Sequence, residues 1–257
     1  MDETIGAGRF QRVLVVSAHP DDPEMGFGAL IARFVDEGAD VCYVICTDGS
    51  QGGEDRAIPD AELTAIRYSE QRSAARLLGV REVVFLGFRD GQLTATMELR
   101  RAIAREIRRR RPELVMTHLP MRQPAVANSH PDHLAAGQAT LAAVYPDACT
   151  ARAYPELLSE GLAPHRVREV WVPGLEAADH YVDVSPTVDR QVRAILCHRS
   201  QFRRRERDPG APARWAPERL AQVALVRQRL RQLGERSGLG CEYAARVRRL
   251  PVDEMRD

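Results

Sequence analysis

Short apolar runs alternate along this chain with longer segments in which apolar residues recur every three or four positions. Strands are predicted over about residues 12–18, 41–47, 82–88, 113–118, 167–172 and 181–184. Helices are predicted over about residues 24–37, 61–78, 97–111, 131–144, 186–202 and 218–233. Because strands and helices alternate, we expect an α/β fold, a Rossmann-like three-layer sandwich with a mostly parallel sheet. This interpretation gives one domain over residues 1–257, with a core over about 12–202 and a C-terminal helical segment over about 217–250.

Two similar tetrapeptides follow predicted strands. His19-Pro-Asp-Asp22 comes after the first strand, and His130-Pro-Asp-His133 comes after the fourth strand and a polar loop. The carboxyl ends of parallel strands meet at one edge of a sheet, where ligands bind. Histidines, one carboxylate ligand and one spare carboxylate are the components of a hydrolytic zinc site with an open position. The sequence therefore predicts a metal-dependent hydrolase with its site at this edge.

The spacing of these residues leaves their individual roles open. About three protein ligands suffice for a hydrolytic zinc ion, so not every member of the two tetrapeptides can be assumed to bind it. A carboxylate that is not a ligand is needed as the base for water, and Asp21 is placed for that role. Asp22 followed by Pro23 also fits the N-cap and first turn of a helix.

Composition excludes several other classes of protein. The chain has 37 basic and 36 acidic residues, a net charge of +1, and every basic residue is arginine. This balance favours neither a nucleic-acid nor a membrane partner, and the lack of lysine excludes a Schiff-base lysine and a Walker-type phosphate loop. The five cysteines are scattered and odd in number, so no disulfide framework is expected. The first residues do not resemble a signal peptide, and a cytoplasmic protein is predicted.

Several segments together resemble the PIG-L (LmbE-like) family. The resemblance runs from about residue 13 to residue 201 and rests on these segments: Ala18-His-Pro-Asp-Asp-Pro-Glu24, Thr47-Asp-Gly-Ser-Gln-Gly-Gly53, Arg67-Tyr-Ser-Glu70, Asp90-Gly91 and His130-Pro-Asp-His133. It implies a zinc-dependent de-N-acetylase of N-acetylglucosamine-type small molecules. A departure is Gly26-Phe27-Gly28, which stands where the family often has a pair of glycines.

The resemblance also implies roles for individual residues. His19, Asp22 and His133 would bind zinc, with Asp21 as the general base and His130 as the electrostatic or general-acid partner. Two further residues, Arg67 and Asp90, match family positions that hydrogen-bond sugar hydroxyls. Glu24 would support the site, while the roles of His118 and His198 stay open.

Alternatives remain at this point. His and carboxylate ligands also suit Fe²⁺, Co²⁺ or Mn²⁺. An amidase for a larger acyl group, acting on a thiol conjugate or an antibiotic-type glycoside, would use the same residues. A sugar- or nucleotide-binding module without catalysis would not need stoichiometric metal. The glycine-rich segment 48–55 is interpreted as a loop of the substrate pocket, and the charged segment 203–212 as a surface loop. A homo-oligomer would cover a lone sheet edge.

Overall fold

A computed structural model describes residues 9–53, 55, 57–122, 129–174, 180–204, 214–215 and 217–252. Its principal strands are β1 Arg12–Ser17, β2 Asp40–Thr47, β3 Glu82–Phe88, β4 Leu114–Met116, β5 Glu169–Pro173 and β6 His180–Asp183. Two short strands, β7 Arg203–Arg204 and β8 Arg214–Trp215, form a separate pair, and β9 covers Ala244–Pro251. Only residues 203 and 204 of the predicted surface loop over 203–212 are among the described residues. The N-terminal segment 1–8 lies outside them.

The helices connect these strands. They are α1 Asp22–Asp36, α2 Asp60–Leu78, α3 Met97–Arg110, α4 Pro131–Ala142, α5 Pro155–Ser159, α6 Val188–Ile195, α7 Arg199–Phe202 and α8 Pro217–Ser237. The segment Ala143–Asp147 follows α4 and is kinked at Tyr145, whose φ of −143° and ψ of 127° are not helical. Within the described segments, no helix is both long and apolar enough to cross a lipid bilayer.

Seven strands form one sheet in the order β3-β2-β1-β4-β5-β9-β6. The five strands from β3 to β5 pair in parallel, and β9 pairs antiparallel with both β5 and β6. The predicted α/β class with a mostly parallel sheet is confirmed. The C-terminal segment differs from the prediction, because β9 follows α8 and inserts into the sheet where only helices were expected.

The sheet has a hydrophobic core on each face, as a three-layer sandwich requires. Along β1, Val13 and Val15 belong to one cluster while Leu14 and Val16 belong to the other. The first cluster includes apolar residues of α1 and α2, and the second includes residues of α3 and α4. Because successive side chains of a strand point to opposite faces, the residues of β1 pack alternately into the two cores. This explains why its sequence is a continuous apolar run.

Helix boundaries differ from the sequence interpretation at two places. Asp22 is the first residue of α1 and Asp21 precedes it, so the predicted N-cap at Asp22 is wrong by one position. The helix predicted over 186–202 is interrupted between α6 and α7. The interruption places His198 in the interior, fully buried, where its ring meets the carboxylate of Glu24.

Candidate active site

The site lies where the chain order of the sheet reverses. Strand β1 is flanked by β2 on one side and β4 on the other, so the ends of β1 and β4 border the switch point at which α/β sheets bind ligands. The turn from His19 to Asp22 joins β1 to α1. His118 follows β4, and His133 lies in the first turn of α4. The two tetrapeptides therefore meet, as the sequence predicted.

Three predicted ligands present their donor atoms to one another. Nδ1 of His19 lies 3.2 Å from Nε2 of His133. The Asp22 carboxylate approaches both, with Oδ2 at 3.3 Å from His19 Nδ1 and Oδ1 at 3.1 Å from His133 Nε2. Donors bound at about 2.0–2.1 Å to a tetrahedral zinc ion are separated by about 3.4 Å. These nitrogen and oxygen donors fit a zinc ion both in chemistry and in spacing.

Further groups of donors overlap with this set. Among the described residues, ligand atoms within 4.8 Å of one another also occur in the groups His19/His130/His133, Asp22/His118/His133 and His19/Asp90/Asp132. The last group lies at the opposite ring nitrogen of His19. Nε2 of His19 is 3.1 Å from Asp132 and 3.2 Å from Asp90.

The Asp132 carboxylate fixes the ring of His19. It accepts backbone N–H groups from Gly91 at 2.7 Å and Leu93 at 3.1 Å, so it is held as an acceptor for the proton on His19 Nε2. In the neutral tautomer with its proton on Nε2, His19 has its lone pair on Nδ1, which faces Asp22. A carboxylate behind a ligating imidazole is the usual arrangement in metal sites. Asp132 received no role from the sequence, although it stands inside the second tetrapeptide.

The electrostatics of the cluster favour a cation. Burial raises the pKa of Asp22, but the nearby His133, His118 and His19 lower it well below its usual value. Burial lowers the pKa of His19, but the charge of Asp22 and hydrogen bonds with Asp132, Asp22 and Asp90 raise it to about 12. Three carboxylates thus surround the His19 ring, and their negative potential would also favour a metal ion there.

Asp21 lies beside the donor set with an unusual backbone. Its φ is 113°, a left-handed value that non-glycine residues rarely adopt. The Gln71 side chain accepts the Asp21 N–H at 2.8 Å, and Arg67 lies 3.4 Å from the Asp21 carboxylate. Burial raises the pKa of Asp21, Arg67 lowers it and Asp22 raises it, with a net upward shift. A carboxylate with a raised pKa is suited to accept a proton from water.

His130 is poised as a hydrogen-bond donor. Its Nδ1 caps α4 by accepting the backbone N–H of Asp132 at 3.2 Å, which places the ring proton on Nε2. Burial and the charges of His19 and His133 lower its pKa, so the ring is neutral near pH 7. Its ring centroid is 4.7 Å from that of His19. A neutral imidazole with an Nε2 proton can donate to a developing oxyanion.

Arg67 and Asp90 are buried around the cluster. Arg67 donates to the carbonyl of Gly49 at 2.8 Å and to that of Pro20 at 2.5 Å. Asp90 contacts His19, accepts the Gln51 N–H at 3.0 Å and lies 3.6 Å from Arg67. These contacts hold the turn after β1 in place. The sugar-binding roles that the resemblance implies for both residues stay predictions.

The two histidines of open role differ in position. His118 is part of the cluster, because its Nε2 is 3.2 Å from Asp22 and its ring stacks on His133 with centroids 4.1 Å apart. His198 lies behind the cluster, with Nε2 3.1 Å from Glu24. Burial lowers the pKa of His198, but the hydrogen bond and charge of Glu24 raise it above its usual value.

Gln71 connects the buried pair of Glu24 and His198 to Asp21. Its amide nitrogen donates to both Glu24 oxygens at 3.0 and 3.1 Å, while its amide oxygen holds the Asp21 N–H. Sequence reasoning missed Gln71, which lies one helical turn after Arg67 on α2. That spacing was the available signal, since residues four apart share a helix face.

Comparisons with known proteins agree with this geometry. The chain is 34% identical over 192 residues to the diacetylchitobiose deacetylase of Thermococcus kodakarensis, covering 75% of this chain and 70% of the relative. It is 33% identical over 175 residues to a 1D-myo-inositol 2-acetamido-2-deoxy-alpha-D-glucopyranoside deacetylase of Geodermatophilus obscurus, covering 57% of each chain. The crystal structure of N,N'-diacetylchitobiose deacetylase from Pyrococcus horikoshii, in complex with its inhibitor MPG, superposes with a TM-score of 0.84 at 28% identity, covering 98% of this chain and 88% of that one.

The family assignment follows from a match over half of the chain. Residues 14–144 match the family described as PIG-L: GlcNAc-PI de-N-acetylase. That range contains both tetrapeptides and every residue to which the sequence assigned a role in metal binding, catalysis or sugar binding. The chain belongs to the PIG-L family.

Proposed function

We propose that this protein is a zinc-dependent hydrolase that removes the acetyl group from an N-acetylglucosamine-containing small molecule in the cytoplasm. The observation that carries the proposal is the triangle formed by the donor groups of His19, Asp22 and His133, beside Asp21. His19 Nδ1 and His133 Nε2 are 3.2 Å apart, and each lies 3.1 to 3.3 Å from a different oxygen of the Asp22 carboxylate. Relatives that share the family are named as deacetylases of amino sugars, which supports the same reaction.

His19, Asp22 and His133 would hold the metal. A bound zinc ion would supply Lewis acidity, polarising the acetyl carbonyl and lowering the pKa of water. Asp132 and Asp90 accept at Nε2 of His19, which orients the ring so that Nδ1 faces Asp22 and would bind the metal in place of a proton. Asp22 stays ionised, since the surrounding histidines hold its pKa well below the usual value.

The remaining steps use side chains beside the donor triangle. Asp21 takes a proton from the attacking water. Its raised pKa is closer to neutral pH, and a general base is most effective when its pKa is near the working pH. The N–H group at Nε2 of His130 donates a hydrogen bond to the tetrahedral oxyanion, and the proton stays on His130. The proton collected by Asp21 then passes to the departing amine, so that acetate and a free amino sugar are released. Arg67 and Asp90 would orient the sugar through its hydroxyls.

Acetate release from a panel of N-acetylglucosaminides tests the reaction. The panel carries inositol, malate, a second sugar and a glycopeptide as aglycones, and the enzyme is stripped with a chelator and then assayed with and without zinc. We expect release only with metal present. Protein that holds stoichiometric metal and releases acetate from no member would contradict the proposal and would favour an amidase for a larger acyl group.

Substitution of the base tests the mechanism. Asp21→Asn is preferred to alanine, because asparagine tolerates a positive φ. We expect kcat to fall by about 10²–10⁴ with zinc content unchanged. Asp36→Asn is the matched control. Asp36 is an exposed carboxylate at the end of α1, the helix that follows Asp21, and it pairs with Arg190. Wild-type kcat in Asp21→Asn would remove Asp21 from the mechanism.

A further inference from the structure

A cleft of about 490 Å³ opens beside the candidate metal site. His118 and His133 line it, together with residues of α8 and β9. Most of its walls are apolar, contributed by Met25, Phe27, Leu134, Leu230, Leu233 and Val247. This volume falls within the range of about 300–1,000 Å³ that is typical of small-molecule sites. The cleft is therefore large enough for a substituent of the substrate that reaches the metal.

Two arginines line the cleft, and none of the described residues that line it is acidic. Arg229 comes from α8 and Arg246 from β9. Nε of Arg246 donates to the carbonyl of Gly174 at 3.1 Å, and this bond uses neither of its terminal nitrogens. Within the described part of the chain, neither guanidinium forms an ion pair with a carboxylate. By contrast, Arg227 on the same helix pairs with Asp189 at 2.6 Å.

The two cations repel each other across the cleft. Burial lowers the pKa of Arg229, and the charge of Arg246 lowers it further. Arg229 is nonetheless open to water within the cleft. A pair of water-accessible guanidinium groups without a carboxylate partner is the arrangement that binds carboxylate or phosphate groups through charge-assisted hydrogen bonds. An anion between them would relieve their repulsion.

We propose that this cleft binds an anionic group of the substrate, a carboxylate or a phosphate, between Arg229 and Arg246. The segment that joins this group to the amino sugar would lie against the apolar walls. This inference rests on the proposed function, because it assigns the charge of the substrate at the same site. The cleft lies on the His133 side of the donor triangle, whereas Arg67 and Asp90 lie on the Asp21 and His19 side. The anion can belong to the aglycone or to the acyl group, and these two sources are separable.

Matched pairs of substrates identify the anion and its source. One pair consists of N-acetylglucosaminides whose alkyl aglycone ends in a carboxylate or in the neutral carboxamide. The other pair places the same two end groups on the N-acyl chain. For the zinc-loaded wild-type enzyme we expect the acidic member of one pair to have a KM at least about tenfold lower than its neutral partner. Added salt should reduce this preference, because the cations are reached by water.

Substitutions of the two arginines test their role. Arg229→Gln and Arg246→Gln should each raise KM for the acidic substrate about tenfold or more, with kcat and the KM of the neutral substrate little changed. Arg246→Lys, which keeps the charge, should retain part of the preference even if the loss of the bond to Gly174 disturbs β9. Arg227→Gln is the matched control on α8 and should leave both KM values unchanged.

The outcomes separate this inference from the proposed function. Turnover of the neutral substrates with equal KM for acidic and neutral members would overturn the anion site and leave the deacetylase intact. A preference that survives the double substitution of Arg229 and Arg246 would also overturn it. If no glycoside is hydrolysed, the proposed function fails. In that case, calorimetric binding of the acidic and neutral glycosides to the zinc-loaded protein still decides whether an anion is preferred.

Discussion

At the scale of single residues, Gln71 is expected to control the geometry of the base. The Asp21 backbone has a φ of 113°, and the Gln71 side chain accepts its N–H while donating to the buried Glu24. Gln71→Met keeps the length of the side chain but removes both bonds. We expect kcat to fall about tenfold or more with KM and zinc content nearly unchanged, and the free energy of unfolding to drop by about 1–3 kcal/mol. Steady-state kinetics and chemical denaturation measure these effects.

The pH profile separates positioning from simple destabilisation. If Gln71 orients Asp21, the acid limb of the kcat profile in Gln71→Met should shift relative to wild type, because the surroundings of the base change. Gln138→Met is the control, since Gln138 is exposed on α4 and, among the described residues, its amide bonds only to the carbonyl of Pro120. A variant with a lower melting temperature but wild-type kcat and pH profile would show that Gln71 is merely structural.

The sequence predicted which residues meet in the cluster better than it predicted the residues that support them. His19, Asp22 and His133 stand in motifs that are visible as short strings, and the structure brings them together. Asp132 and Gln71 act through contacts that span 113 and 50 positions of the chain. Such contacts depend on how α2 and α4 pack onto the sheet, which no local pattern encodes.

At the scale of elements, the secondary structure predicted from the sequence was wrong where contacts between distant parts of the chain determine it. The pattern over 186–202 favoured a single helix, yet the chain leaves helical geometry between α6 and α7 so that His198 reaches Glu24. The segment Ala244–Pro251 mixes three arginines with small or apolar residues in no strict alternation, and it becomes a strand by pairing with β5 and β6. Strand propensity depends strongly on such neighbours, which explains why β9 was missed.

The close approach of α4 to the end of β4 predicts an effect opposite to helix propensity. A Cβ on Gly137 would lie 2.6 Å from the carbonyl oxygen of His118 and 3.2 Å from Cα of Pro120, both backbone atoms that cannot rotate away. Gly137→Ala should therefore destabilise the protein by about 1–3 kcal/mol. It should also weaken zinc binding, because α4 carries His133. Thermal unfolding and a zinc titration measure the two effects.

Gly26 provides the matched control within a helix. Apart from its chain neighbours and the backbone of its own helix, a Cβ at Gly26 of α1 would meet no atom of the described residues within 4 Å. Gly26→Ala should then stabilise the protein by up to about 1 kcal/mol, as helix propensity alone predicts. Equal stabilisation by both alanine substitutions would show that α4 does not pack as closely on His118 as the structure indicates.

At the scale of the whole molecule, one carboxylate joins three distant parts of the chain. Glu169 on β5 forms an ion pair with Arg9 near the start of the described chain and two 2.9 Å contacts with Arg249 on β9. It also accepts the indole N–H of Trp171 at 2.9 Å. Glu169 is 5% exposed, so these hydrogen bonds are largely shielded from water. This cluster fastens β9 to the parallel part of the sheet.

The charge of Glu169 predicts how stability depends on pH. Burial raises its pKa, but the hydrogen bonds from Arg249 and Trp171 and the charges of Arg249 and Arg9 lower it below the usual value. A carboxyl group with a lowered pKa in the folded state stabilises the protein above its unfolded pKa, and this contribution is lost as pH falls through the folded pKa. Glu169→Gln should therefore cost about 1–3 kcal/mol at pH 7, discounted because both arginines are partly exposed. The difference from wild type should shrink below about pH 4.5. Urea denaturation of both proteins from pH 3 to pH 7, at about one-unit intervals, measures it. A difference that stays constant across this range would mean that Glu169 acts through packing, so that β9 is held by shape and not by charge.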